Sequence, residues 1–73
     1  MSIVNVLSEI PGNVWKIEIK VGATISEGDV LVILESMKME VPVQSVCSGE
    51  VTEIFVAEGD FVNEGDPILA IET

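Results

Sequence analysis

Glu27-Gly28-Asp29-Val30-Leu31-Val32-Ile33-Leu34-Glu35 and Glu64-Gly65-Asp66-Pro67-Ile68-Leu69-Ala70-Ile71-Glu72 lie 37 residues apart and share their first three residues and their last. Each is a polar Glu-Gly-Asp turn that feeds an apolar run without alternation, the pattern of a short buried strand entered from a tight turn. Extending the alignment outward at the same offset pairs Val4 with Val41, Val6 with Val43, Ser8 with Ser45, Gly12 with Gly49, Val14 with Val51, Ile17 with Ile54 and Gly22 with Gly59. Other pairs keep their character, such as Ile19 with Val56 and Ile25 with Val62. The chain is therefore an internal duplication of about 36 residues. Two copies are too few for a solenoid, so the halves are expected to pack together about a pseudo-two-fold axis.

The composition agrees with an all-β reading. Among 73 residues there are 12 Val and 9 Ile but only 4 Leu and 3 Ala, and β-branched side chains fit a pleated surface better than a helix. A chain of this length has room for one core, so residues 1–73 are expected to form one domain. Its single Cys47 leaves no internal disulfide to stabilise that core. Three Lys plus Arg against thirteen Asp plus Glu give a formal charge of −10, which argues against partners that are nucleic acids or acidic membrane surfaces. The longest unbroken apolar run, Val30 to Leu34, is far short of the roughly 20 residues of a membrane span, and Met1-Ser2-Ile3 opens no cationic signal region. A soluble, cytoplasmic chain is expected.

Each half carries the same punctuation, which predicts four strands per half: Ser2–Leu7, Gly12–Ile19, Thr24–Ile25 and Val30–Ser36, then Glu40–Gln44, Gly49–Val56, Phe61–Val62 and Pro67–Thr73. In Val14 to Lys20 the alternation puts Trp15, Ile17 and Ile19 on one face and Lys16, Glu18 and Lys20 on the other, so Trp15 is expected in the core. The runs Val30–Leu34 and Pro67–Ile71 lack alternation and are expected to be covered on both faces. Gly12, Gly22, Gly28, Gly49, Gly59 and Gly65 recur at equivalent places, which predicts positive φ or close strand approach.

Between the strand ending near Glu35 and the strand starting at Glu40 there is room only for a tight hairpin, with Lys38 at its tip. Lys38 also sits at the seam between the halves, and the equivalent seam is where Thr73 would meet Met1. A two-fold relation would place the lysine and the chain ends at opposite poles. Turn tips favour Gly, Asn, Asp or Ser, whereas this one sets a lysine between Met37 and Met39. Local sequence alone permits two readings: the methionines fold back into the core with Lys38 as a solubilising edge residue, or the tip is built for recognition. The scarcity of lysine favours the second, because Lys16 and Lys20 are explained by their polar strand face.

Glu35-Ser36-Met37-Lys38-Met39 resembles the attachment signature of biotinyl domains, usually Glu-Ala-Met-Lys-Met. The similarity extends through Gly12, Val14, Gly22 and Gly28-Asp29 before the lysine, and through Ser45, Gly49, Val51, Glu58-Gly59-Asp60, Val62 and Gly65-Asp66 after it. It implies the flattened barrel, or barrel-sandwich hybrid, of two four-stranded antiparallel sheets shared by biotinyl and lipoyl carrier domains. It implies covalent biotin on Lys38, with Met37 and Met39 recognised by a biotin protein ligase and Glu35 contributing to ligase selectivity. The partners implied are that ligase, a biotin carboxylase and a carboxyltransferase, with carboxybiotin shuttled between the last two. Lipoyl domains commonly carry Asp-Lys-Ala at the tip, so the methionines favour biotin over lipoate. Ser36 replaces the commoner Ala, a small-for-small exchange. Nothing resembles the protruding thumb or the Pro/Ala tether of some bacterial acetyl-CoA carboxylase carriers, so the resemblance implies the carrier class and no particular carboxylase.

Chemistry intrinsic to the chain points the same way. With no His, no Arg and no nucleophile, base and oxyanion-donor set, independent catalysis is not expected; the groups that deprotonate Lys38 must belong to the ligase. Acylation would change the formal charge from −10 to −11 by removing one ammonium. Alternatives from other classes are a lipoyl-type carrier and an unmodified interaction domain of the same fold. Met37 and Met39 as a copper site lack a His partner, and Glu27-Gly28-Asp29 and Glu64-Gly65-Asp66 as calcium loops are better explained as turns. Cys47 has no cationic neighbour in sequence and reads as a buried structural residue.

Overall fold

The computed structural model describes residues 2–73, which form eight strands: β1 (Ile3–Leu7), β2 (Gly12–Ile17), β3 (Thr24–Ile25), β4 (Val30–Ser36), β5 (Met39–Gln44), β6 (Gly49–Ile54), β7 (Phe61–Val62) and β8 (Pro67–Glu72). They make two four-stranded antiparallel sheets, ordered β1-β8-β6-β3 and β5-β4-β2-β7. Among the described residues no helix is long and apolar enough to cross a membrane. The predicted strands are all present, with β2 and β6 each two residues shorter at their C-terminal ends, β1 one residue shorter at its start, β8 one shorter at its end and β5 one longer at its start.

The duplication is built into the pairing itself. Adding 37 to every residue of the first half converts β1, β2, β3 and β4 into β5, β6, β7 and β8 to within one residue at an end, and converts one sheet order into the other. Each sheet therefore contains two strands from each half. The rung Val4↔Ile71 has its equivalent in Val41↔Leu34, and Thr73 donates its N–H to the carbonyl of Ser2 at the place equivalent to the rung Ser36↔Met39. Met1 lies outside the described residues, so its expected meeting with Thr73 does too.

Between the sheets, Leu31, Val32, Leu34, Val51, Ile68, Leu69 and Ile71 are fully buried, joined by Val6, Val14, Ile25 and Val62. The turns are tied to this core across the halves. Ser45 exchanges backbone hydrogen bonds with Gly28 and Asp29, at 2.8 Å each, and Ser8 does the same with Gly65 and Asp66, at 2.7 and 2.9 Å. Both serines are buried, and their hydroxyls donate to the carbonyls two residues on, Ile10 and Cys47, each at 2.5 Å. Asp29 and Asp66 close their turns by accepting the N–H of Ser26 and Asn63, at 2.9 and 2.8 Å. These carboxylates are engaged as turn acceptors, as the turn reading requires.

Two expectations about facing are corrected. Trp15 is 51% exposed and lies outside the core. The register of β2 against β4 slips between Val14 and Lys16, so Trp15 is the extra residue of a β-bulge. The bulge carries the inward phase from Gly12 and Val14 to Ile17 and Ile19, and Trp15 is left pointing outward. The apolar run in β8 is covered on both faces, with Ile68, Leu69, Ala70 and Ile71 all buried, whereas the run in β4 is not. In β4 the extra residue is Leu31, which lets Leu31 and Val32 both turn inward, while Ile33 stays half-buried on the outer face. Cys47 is half-buried against the core rather than enclosed by it.

All six glycines have structural work. Gly22, Gly28, Gly59 and Gly65 have φ between 90° and 96°, and the other two permit close strand approach. A Cβ at Gly49 would overlap the Glu72 carbonyl oxygen and come within 2.8 Å of Ile71 Cγ2. Because the obstacle is backbone of the central strand β8, Gly49→Ala is expected to destabilise the protein by roughly 1–3 kcal/mol, lowering the thermal midpoint by about 4–20 °C. Thermal unfolding followed by circular dichroism checks this, and an unchanged midpoint refutes the close-approach role.

Candidate functional site

The β4–β5 hairpin closes over two residues. Ser36 pairs with Met39, and Met37 and Lys38 between them have φ of 53° and 64°. Positive φ at both central positions defines a type I′ turn, whose twist matches that of the flanking strands. Asn-Gly is the favoured pair there, because a side chain with Cβ in the left-handed region costs about 1–2 kcal/mol per residue. Among the described residues, Met37 and Lys38 are the only non-glycine positions with positive φ. The strain is confined to the tip.

The base of the hairpin is held from below. Gly12 of β2 approaches so closely that a Cβ there would meet the Glu35 carbonyl oxygen at 2.9 Å and the Ser36 Cβ at 3.5 Å. Small residues at both places let β2 lie against the last rung before the turn. Above that rung everything is solvent-facing: Met37 is 92% and Met39 65% exposed, and Lys38 is exposed as well. The methionines do not fold back into the core. Among the described residues the only ion pair is Lys16 with Glu18 at 3.4 Å, and no hydrogen bond engages the Lys38 amine. This primary amine projects from the tip with no polar partner among the described residues.

Glu35 is exposed one rung below the turn, directly opposite Glu40 on β5 and Asn13 on β2. Two carboxylates facing each other across a rung repel, and Glu40 was not singled out from sequence. The signal for it was the mismatch with its repeat partner, Ile3. A groove of about 820 Å³ opens between the edge strands β1 and β5, lined by Val6, Val43, Ser8, Ser45 and Leu34, but it does not include Lys38. Among the described residues no group of three or more His, Cys, Asp or Glu side chains is placed to hold a metal ion. The tip thus offers a single exposed primary amine on a rigid support, suited to forming an amide with an acid that another protein activates.

Sequence and fold both have counterparts. A family model described as "Biotin-requiring enzyme" matches residues 4–71. The biotin/lipoyl attachment protein of Bacillus subtilis (strain 168) is 49% identical over 63 residues, covering 86% of this chain and 86% of that protein. A biotin carboxyl carrier protein of Streptococcus mutans is 42% identical over 62 residues, covering 85% of this chain and 48% of that one. In the crystal structure of Kluyveromyces lactis urea carboxylase, a segment amounting to 6% of that chain superposes on 99% of this one with a TM-score of 0.92 and 35% identity. The two four-stranded sheets are therefore also the fold of a segment within that urea carboxylase.

Relieving the left-handed strain is expected to stabilise the fold. Met37→Asn, which suits φ near 53°, should raise the free energy of unfolding by about 0.5–1 kcal/mol. Urea titration checks the sign, and a lower midpoint would show that the methionine conformation is not strained.

Proposed function

The chain belongs to the biotin-requiring enzyme family, and we propose that it acts there as a biotin carboxyl carrier with Lys38 as the attachment residue. The observation that carries this assignment is the exposed, unpartnered Lys38 amine at the tip of a strained two-residue turn. The site fits an amide-linked group: the amine is exposed, and no hydrogen bond or ion pair engages it among the described residues. Residues 1–73 work as one carrier domain, a reading supported by the exchange of strands between the halves.

Loading is a condensation performed by another protein. The Lys38 ammonium first gives a proton to a base; the freed Nζ lone pair attacks the activated carboxyl carbon of biotinyl-AMP, the amide bond forms, the acyl–phosphate bond breaks with its electron pair leaving on AMP, and the nitrogen releases its second proton. That base belongs to a biotin protein ligase, because among the described residues no group bonds the amine. Met37 and Met39 give the ligase adaptable apolar contacts, and Glu35 contributes to its selectivity. Once attached, biotin supplies a ureido nitrogen that accepts a carboxyl group in one active site and surrenders it in another. The protein's part is to hold the lysine on a support that does not flex, so that motion is confined to the arm. Tethering replaces free diffusion by a high effective concentration at a biotin carboxylase and then at a carboxyltransferase. The domain has no catalytic role of its own.

The test is intact mass and streptavidin blotting after co-expression with a biotin protein ligase. Wild type is expected to carry one biotin and Lys38→Arg none. An unmodified wild type would make the domain an interaction module, and a lipoyl adduct would change the cofactor.

A further inference from the structure

The position of Trp15 has no explanation in the fold. Its repeat partner, Thr52, occupies the same bulge in the other sheet, where the register of β6 against β8 slips between Val51 and Glu53. Phe61, on the neighbouring strand β7, is 58% exposed, and its repeat partner is Thr24 on β3. The same backbone is thus built twice, once with threonines and once with aromatic rings half or more exposed. Folding requires neither ring. Both lie on the sheet that carries Lys38, whereas the remaining aromatic residue, Phe55, follows β6 of the other sheet.

The register places these groups relative to the tip. Phe61, Asn13, Glu35 and Glu40 stand opposite one another in a single row across β7, β2, β4 and β5, and all four are exposed. Residues in one row point to one face of the sheet, so the row is a strip about 14 Å long. It begins two to three residues from Lys38, roughly 7–10 Å, and Trp15 lies on the same outer face just beyond it. The equivalent row at the other end is Thr24, Glu50, Glu72 and Ile3. The two rows differ at three positions: the tip has an aromatic ring in place of Thr24, Asn13 in place of Glu50 and a carboxylate, Glu40, in place of Ile3, so each row holds two carboxylates but at the tip both sit on the hairpin strands β4 and β5. Glu35 is matched by Glu72 and is common to both ends.

We infer that the outer face of the β5-β4-β2-β7 sheet is the docking surface for the biotin protein ligase, with Phe61 and Trp15 as its apolar anchors and Glu40 as its charged determinant. The inference rests on Lys38 being the ligase's substrate. An active site that closes around Lys38 must lie over this row, because the row begins at the hairpin's own base. The chemistry of the matching ligase surface follows from charge: on a carrier of net charge −10, with Glu35 and Glu40 repelling each other beside two rings, it is an apolar patch flanked by arginine or lysine. An arginine there can stack on the Trp15 indole and neutralise Glu40. Buried aromatic anchors with a charged rim are the usual source of affinity in such interfaces.

Repeat symmetry supplies variants suited to the backbone. Trp15→Thr/Phe61→Thr installs the residues already accommodated at the equivalent positions. With purified biotin protein ligase and biotin incorporation measured against carrier concentration, this variant is expected to raise KM by about tenfold or more, with kcat held within about twofold. Glu40→Gln is expected to raise KM about threefold or more and to flatten its dependence on salt, while Glu72→Gln at the other end leaves both as in wild type. The inference is overturned if the folded double variant keeps the wild-type KM, or if Glu40→Gln and Glu72→Gln behave alike. Should the double variant fail to fold, the glutamate pair decides alone. Failure of the underlying reading looks different, since wild type would then take up no biotin or Lys38→Arg would still take it up.

Discussion

Neither half of this chain can complete a sheet by itself. The central strand β4 lies between β2 of its own half and β5 of the other, and β8 lies between β6 of its own half and β1 of the other. The apolar runs that fill the interior, Leu31–Leu34 and Ile68–Ile71, are buried only when both halves have exchanged their first strands. This exchange explains why a disulfide-free chain of 73 residues can hold a core. Every apolar layer is shared, and the Ser8 and Ser45 clamps lock the turns of one half to the strands of the other. Local opening of one half exposes the other, so the unit is expected to open cooperatively.

That shared core supports the strands from which the tip projects. Met37 and Lys38 hold left-handed conformations that cost free energy, and they persist because the Ser36–Met39 rung and the close approach of Gly12 over-determine the hairpin. The chemistry of the tip is correspondingly simple. A carrier needs no pocket and no activated nucleophile; it needs an amine whose place is fixed and whose surroundings belong to its partners. The absence of any ion pair or hydrogen bond on Lys38 among the described residues is the structural form of that division.

Much of this was legible in the sequence. The duplication, the strand count, the roles of the glycines and the position of Lys38 at a tight tip all follow from spacing, because turn chemistry and period-2 patterning act over a few residues. What was not legible depends on contacts between strands distant in sequence. The offset of 37 shows that the halves are alike but does not say that they trade strands. Alternation placed Trp15 in the core because a bulge shifts phase without changing the residues on either side. The second half carried the missing signal: in Val51-Thr52-Glu53-Ile54 the apolar positions are three apart, which a regular strand cannot bury on one face. Reading Trp15 through Thr52 would have turned it outward.

The same comparison separates residues that build the fold from residues that use it. Where both halves keep one residue at equivalent positions, as with Gly12 and Gly49, Val14 and Val51, or Ser8 and Ser45, the shared backbone geometry is sufficient reason. Where they differ on an exposed face, that reason is absent, because the other half shows that the fold stands without the particular side chain. Lys38 is the extreme case, since its equivalent is the break between the chain ends and the left-handed backbone it occupies disfavours a side chain rather than asking for one. Trp15, Phe61 and Glu40 are milder cases of the same kind, and Met37 and Met39 flank the lysine where the repeat offers only Ser2 opposite Thr73. Around the hairpin, the side chains that folding does not explain thus stand where the two-fold symmetry of the scaffold is broken.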